Sequence, residues 1–311
     1  MLEIRRYTPD QADEWNRFVA ASKNGTFLLD RRYMDYHSDR FTDHSLMVYR
    51  RDKLYALLPA NVAGSTFFSH QGLTYGGLLM SDRTTAADVV QVFKDLNALL
   101  RAEGIKQVVY KPTPWIYHRQ PSEEDLYAVV EVCGAQLSRG LSSTISREHL
   151  NKWYRIRECG ARKAREADIT IVETDDYSTF WPILSKNLHD RYGLTVVHSL
   201  EEIELLHSRF PDRIRLVVAK EGEETLGGTV LYCSDRVVHS QYIAASPRGK
   251  ELHVLDLLFQ QVIAEALQTH AYFDFGISTE KHGTYLNDQL IYQKEGFGGR
   301  GICYDWYEWT L

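Results

Sequence analysis

The sequence predicts an α/β protein, a mixed and mostly antiparallel sheet flanked by helices, arranged as two tandem domains over residues 1–150 and 151–311. Three observations predict it. The order strand, strand, strand, helix, strand occurs twice at similar spacing. Short charged turns join the strands of each pair, as in "YRRDKLY" and "AKEGEETL". The long helices repeat their apolar residues every three and four positions, so one face of each rests on a sheet.

In chain order, "MLEIRRYTPDQ" reads as a first strand followed by a helix. "SLMVYRRDKLYALLPANV" is strand, charged turn and strand, and "GLTYGGLLM" adds another. "TAADVVQVFKDLNALLRAEG" is helical, with Val89, Val92, Phe93, Leu96 and Leu100 on one stripe, and "KQVVY" is the strand after it. Near residue 150 the halves meet in "REHLNKWYRIRECGARKAREADI", a helical stretch dense in Arg and Lys, without a Pro- and Gly-rich linker. The second half repeats the grammar. "IRLVVAKEGEETLGGTVLYC" and "RVVHSQYIAAS" give three strands; "LHVLDLLFQQVIAEALQTH" is a helix with Leu255, Leu258, Phe259, Val262 and Ala266 on one face; "YFDFG" is the closing strand.

Composition excludes several classes. Of 311 residues, 44% are hydrophobic and 25% charged, which is the balance of a folded globular chain. A formal net charge of -6 has the wrong sign for broad nucleic-acid binding. No apolar run approaches the ~20 residues of a membrane span, and the N-terminus has no apolar signal region, so a cytoplasmic location is expected. Cys133, Cys159, Cys233 and Cys303 lie far apart with no C-x-x-C pair, which fits neither a disulfide framework nor a zinc site and predicts small apolar residues. The cluster "HSDRFTDH" (His37, Asp39, Asp43, His44) has no helical ligand spacing, and a polar loop is expected there with no metal.

Several stretches carry candidate chemistry. In "SPRGKEL", Arg248, Gly249 and Lys250 stand where a strand gives way to a helix. The first amides of a helix lack internal partners, its dipole favours anions and glycine permits close approach, so these three residues are candidates for holding a phosphate group. On the strand before them, alternation puts His239 and Gln241 on one face and Tyr242, a candidate substrate contact, on the other. Asp274 alternates with Phe273 and Phe275 at a strand end, and Ser278, Glu280 and Lys281 follow in the next loop, where ligand groups collect in open sheets. Asp274 and Glu280 are candidate bases; the alternatives are that Asp274 caps or orients the loop and that the amine loses its proton through water. In the first half "SHQGLTYGG" has no basic residue, and Gly76 and Gly77 either admit an acceptor close to the backbone or shape a hairpin. The basic stretch Lys152, Arg155, Arg157, Arg162, Lys163 and Arg165 is either a solvated face or a contact for an anionic partner such as tRNA. "LIYQKEGFGGR" reads as a helix end capped by a left-handed Gly296, with Tyr292 four residues ahead.

Two of these stretches resemble a known family. "SPRGKELHVLDLLFQQVIAEA" resembles the acyl-CoA-binding segment of the GNAT superfamily of N-acetyltransferases, and "YQKEGF" resembles that family's tyrosine before Gly-Phe. The tandem halves, the basic helix and "DFGISTEKHGTYLN" are similar to the FemAB-type branch, which includes aminoacyl-tRNA-dependent peptidyl transferases of cell-wall synthesis. Two positions depart from the family's phosphate loop: Ser246 stands where Gln or Arg is usual, and Glu251 where a small residue is usual.

The resemblance implies an enzyme of two GNAT-like domains with the donor site in the second and the acceptor on the side of the first. It implies an acyl-CoA donor, no metal, and a small-molecule or peptide amine as acceptor. The strand backbone at Ile243 and Ala244 would polarise the carbonyl, and Tyr292 would protonate the leaving thiolate. The expected function is N-acyl transfer from an acyl-CoA-type thioester to an amine. The alternatives are a FemAB-type aminoacyl-tRNA-dependent peptidyltransferase and a non-catalytic binding module that kept the fold.

Overall fold

A computed structural model describes residues 2–311, the side chains at 191 and 192 excepted. The chain forms two compact units, one of Met1–Gly140, Lys281–Thr284 and Cys303–Leu311, the other of Leu141–Glu280 and Tyr285–Ile302. The division therefore falls before residue 150, and the last residues of the chain belong to the first unit, not to the second as 151–311 anticipated.

The first unit opens with β1 (Leu2–Arg6), α1 (Ala12–Ala21), α2 (Arg31–Met34) and β2 (Thr42–Asp43). β3 (Leu46–Arg50), β4 (Lys53–Leu58), β5 (Asn61–Ala63), β6 (Thr66–Phe68) and β7 (Leu79–Met80) follow, then α3 (Ala86–Ala102), β8 (Gln107–Tyr110) and α4 (Glu124–Glu131). β1, β3, β4 and β7 make one antiparallel sheet. The charged turn between β3 and β4 is Arg51-Asp52, both at positive φ, as a two-residue hairpin turn requires. The stripe of α3 is buried as expected, with Val89, Phe93, Leu96 and Leu100 under 2% exposed in one core with Phe67 and Val108.

β9 (Gln136–Ser146) passes from the first unit to the second, where α5 (Arg155–Glu166), β10 (Thr170–Thr174), α6 (Trp181–Tyr192) and α7 (Leu200–Arg209) follow. Next come β11 (Ile214–Glu221), β12 (Glu224–Cys233), β13 (Val237–Ala245), α8 (Pro247–Glu251), α9 (Val254–Thr269) and β14 (Tyr272–Ile277). β15 (Thr279–Glu280), β16 (Tyr285–Leu286), α10 (Asp288–Glu295) and β17 (Arg300–Thr310) complete the chain. β10 to β13 are antiparallel neighbours, β14 lies parallel to β13, and β9 runs antiparallel to β14. α9 lies on this sheet with Val254, Leu258 and Phe259 fully buried.

α5 packs on α9 through its small residues Gly160, Ala161 and Ala164. A Cβ on Gly160 would stand 1.9 Å from a carboxylate oxygen of buried Asp256, so only glycine admits that side chain. Arg157 turns inward to donate to Asp256 at 3.0 Å and lies over the Phe297 ring. Arg155, Arg162 and Lys163 remain on the exposed face.

Three local expectations are corrected. Gly296 has φ -59°, ordinary helical backbone, and the left-handed residue is Gly298 at φ 95°. The alternation along β13 is broken, because Val230 faces Tyr242 and Leu231 faces Ser240, leaving Gln241 as a bulge. His239 and Tyr242 consequently share a face. Cys303 is exposed, since its strand alternates to the surface there, whereas Cys233 is buried.

Candidate active site

β13 and β14 are paired only through Val237–Tyr272, Val238–Phe273 and His239–Asp274. Beyond that register the strands separate, and a cavity of about 370 Å³ occupies the opening. Ile243, Ala244 and Ala245 line it from β13, Phe259 from α9, Phe275 from β14 and Lys294 from α10. The strand residues expected to meet a donor, Ile243 and Ala244, are thus on its wall.

Lys250, which also lines the cavity, is exposed; Lys294 is the buried charged group of this wall. It is 5% exposed, and its Nζ donates to the carbonyls of Gly276 and Ile277, both at 2.8 Å. These carbonyls are available because β14 bulges against β9 between Asp274 and Ile277. Burial pulls the ammonium down to about 8 against the opposing charge of Asp274. Two of its three donors are spent on carbonyls, which leaves one for a guest in the cavity.

At the closed end of the opening stands a second group. Asp274 is wholly buried, and its Oδ2 accepts from Nδ1 of His239 at 2.7 Å. Its Oδ1 accepts from the hydroxyls of Ser142 at 2.5 Å and Thr144 at 2.6 Å, both from β9. Burial alone would push this carboxyl up; the hydrogen bond and charge of His239, with the two hydroxyls, outweigh it and hold it below its ordinary value. A carboxylate so enclosed and so stabilised is no base toward a substrate. The expectation of Asp274 as base is corrected: it orients His239.

The other expected residues distribute as follows. Tyr292 is 54% exposed and its ring rests on Tyr154, 5.2 Å away, outside the cavity, while Gln293 and Lys294 of the same helix face in. Glu280 is exposed and accepts from Asn287 at 2.8 Å, closing the β15–β16 hairpin, so it stands away from the buried groups. Ser278 is buried, and its hydroxyl has no hydrogen-bond partner among the described residues. Lys281 lies in the short segment that belongs to the first unit, at φ 50°. Tyr242 is buried against Trp181 with its hydroxyl 2.5 Å from Nδ1 of His198, which commits it to packing. Gly76 and Gly77 are closed by their own fold: a Cβ on Gly76 would lie 2.1 Å from the carbonyl oxygen of Ser69, and Gly77, at φ 77°, abuts Pro112 and the Tyr110 hydroxyl. They admit no acceptor.

The phosphate position differs most from expectation. Arg248, Gly249 and Lys250 lie inside the short helix α8. The amide of Gly249 donates to the Ser246 hydroxyl at 3.0 Å, and a Cβ there would meet the Leu226 carbonyl oxygen at 2.3 Å. Gly249 therefore serves close packing, not a ligand. Arg248 pairs with Glu221 at 3.1 Å on the surface. Lys250 alone turns toward open space; it donates to Asn187 at 2.8 Å, and both residues line the first cavity and a neighbouring one of about 470 Å³ between α6 and α8. At Gly249, therefore, neither the amide nor the side-chain face is open to a phosphate.

Parallel strands that part beside a central helix, with a bulge on each of β13 and β14, define the site. Residues 151–284 match the acetyltransferase (GNAT) domain. The matched stretch runs from α5 to β15, and the mixed sheets flanked by helices are a tandem GNAT-like fold. Solved structures agree. FemX superposes with a TM-score of 0.69 at 13% identity, over 99% of this chain and 97% of that one. L-PGS from Bacillus licheniformis gives 0.60 at 13% identity, over 97% and 92%. A tandem GNAT protein from the clavulanic acid biosynthesis pathway gives 0.51 at 11% identity, over 100% and 98%. At such identities these likenesses establish the fold. No curated protein matches the sequence. Among the described residues no helix is long and apolar enough to cross a membrane, and no three His, Cys, Asp or Glu side chains are grouped to hold a metal.

Of the groups that this geometry brings together, sequence reasoning missed Lys294 and gave His239 a strand face but no role. The sequence held one signal for each. "YQKEGF" carries a lysine on the helix turn that precedes the Gly-Phe anchor, and "LSSTIS" places hydroxyls two residues apart on one strand face.

Proposed function

We propose that this protein is an N-acyltransferase that moves an acyl group from an activated ester to an amine at the opening between β13 and β14. The observation that carries the reading is Lys294, a buried ammonium held by two carbonyls on the wall of an apolar cavity. A fixed cation in a low-dielectric wall stabilises the negative charge that develops on a carbonyl oxygen under attack. The acyl group lies among Ile243, Ala244, Phe259 and Phe275, with its carbonyl oxygen toward Nζ. The amine nitrogen bonds to the carbonyl carbon, the oxyanion forms beside Lys294, and collapse breaks the bond to the leaving alcohol or thiol.

Two donors are in question, an acyl thioester of CoA and an aminoacyl ester on tRNA. Gly249 favours the second, since its amide and its open side are already occupied by Ser246 and Leu226. Arg155, Arg162 and Lys163 offer an exposed basic face on α5 for a polyanion. The test measures binding of CoA and of a charged tRNA pool at two salt concentrations, in the parent and in the triple charge reversal R155E/R162E/K163E. Tight tRNA binding with a steep salt slope that the variant loses assigns the aminoacyl ester. Binding of CoA indifferent to the substitutions assigns the thioester. Binding of neither, with no acyl transfer to any amine, overturns the reading in favour of a binding module.

A further inference from the structure

We infer that His239 is the base that takes the proton from the acceptor amine, with Asp274 as the residue that positions it; this rests on the acyl-transfer reading of the same opening. The geometry is that of an oriented imidazole. Asp274 accepts from Nδ1, and its own position is fixed by Ser142 and Thr144 on the neighbouring strand. A carboxylate on Nδ1 keeps the proton there and leaves the lone pair on Nε2. Nε2 has no hydrogen-bond partner among the described residues, and the side chain is 13% exposed while Asp274 is not exposed at all. A histidine that only completes a core buries and satisfies both nitrogens; this one keeps its basic edge open.

His239 and Lys294 also meet on one residue. A Cβ on Gly276 would lie 3.1 Å from Cε1 and 3.8 Å from Nε2 of His239, while the Gly276 carbonyl accepts from Lys294 at 2.8 Å. Gly276, at φ 77°, thus leaves open the space beside the imidazole ring. Phe273 and Phe275 point into the α9 core, so Asp274, which alternates with them, and His239 present the opposite sheet face. The donor lies on the α9 side of the opening and the amine arrives from the other.

The step balances. As the C–N bond forms, one N–H proton passes to Nε2 and the carbonyl electron pair goes to the oxygen beside Lys294. Collapse breaks the bond to the leaving group, which takes the proton back from the imidazolium. The products are an amide and a neutral alcohol or thiol.

The test has an arm independent of turnover. ¹⁵N spectra of the native protein, with His239 assigned through His239→Gln, are expected to place the neutral-ring proton on Nδ1, and Asp274→Asn is expected to move it to Nε2. In an active parent, His239→Gln is expected to lower kcat about 100-fold with donor KM unchanged, the loss of a general base. A proton on Nε2 in the native protein, or His239→Gln with parental kcat, overturns the proposal and leaves acyl transfer standing. A parent that transfers no acyl group to any amine fells the functional reading, and this base with it.

Discussion

Gly249 and Leu226 touch through backbone: a Cβ on the glycine would stand 2.3 Å from the leucine's carbonyl oxygen. The same oxygen accepts from the Ser246 amide at 2.8 Å, so α8 is fixed to β12 by a single carbonyl. Gly249→Ala must push the helix off the strand. The expected cost is about 1–3 kcal/mol, as for overpacking elsewhere, read from urea unfolding. An alanine variant of parental stability would return Gly249 to the ligand-facing part that the sequence suggested.

Lys294→Met removes the ammonium and frees the carbonyls of Gly276 and Ile277. A fall in kcat of roughly 100-fold or more is expected, the usual loss when one oxyanion donor is removed. The parent's activity should fall as pH rises through about 8, where the lysine loses its proton. A parental kcat in the Met variant would end the role of this cation.

The same lysine sets a stability trend with a definite sign. Its folded value, about 8, lies below the ordinary value of 10.5, so between them the unfolded chain holds more protons and stability rises with pH. Parent minus Lys294→Met in urea midpoints should therefore increase from pH 8 toward 10. A flat difference would mean the ammonium is solvated.

Asp125 gives the opposite trend in the first unit. It is buried, accepts from the Tyr110 hydroxyl at 2.5 Å, and is raised to about 7 by burial, against the Tyr110 hydrogen bond. A raised carboxyl stabilises the fold below the unfolded value near 4 and loses that contribution as pH rises through about 7. Asp125→Asn should remove a fall on the order of a few kcal/mol between pH 4 and 8, seen in unfolding midpoints. An unchanged profile would place the carboxyl's proton elsewhere.

Tyr292→Phe should leave kcat within about twofold, because its ring lies on Tyr154 and not on the cavity wall. A drop near 100-fold, with chemistry limiting, would restore the leaving-group acid that the "YQKEGF" resemblance implied.

Much of the fold was legible from local chemistry. The spacing of Val89, Phe93, Leu96 and Leu100 makes an amphipathic helix wherever it folds, and Leu258, Phe259 and Val262 do the same for α9. Alternating strands and short charged turns required hairpins, and the repeated order gave the tandem halves. β9 escaped notice because "QLSRGLSSTIS" is too polar to read as a buried strand. Its hydroxyls are there for Asp274, across 130 and 132 residues of chain.

What the sequence determined by itself is periodicity: that α3, α9 and the hairpin strands form, and which faces of those two helices are apolar. The reason is that these depend on neighbours within a few residues. What only the tertiary structure decided is which polar groups lost their water. Lys294 on a mixed helix face would be solvated anywhere else; it is buried because two strands separate and leave carbonyls without partners. His239 and Asp274 are 35 residues apart and meet because a crossover through α9 sets β14 parallel to β13 in one register. Gly249, apparently free for a phosphate, is filled by a carbonyl from another strand. Register, desolvation and contact between distant segments are properties of the assembled sheet, and no local pattern encodes them.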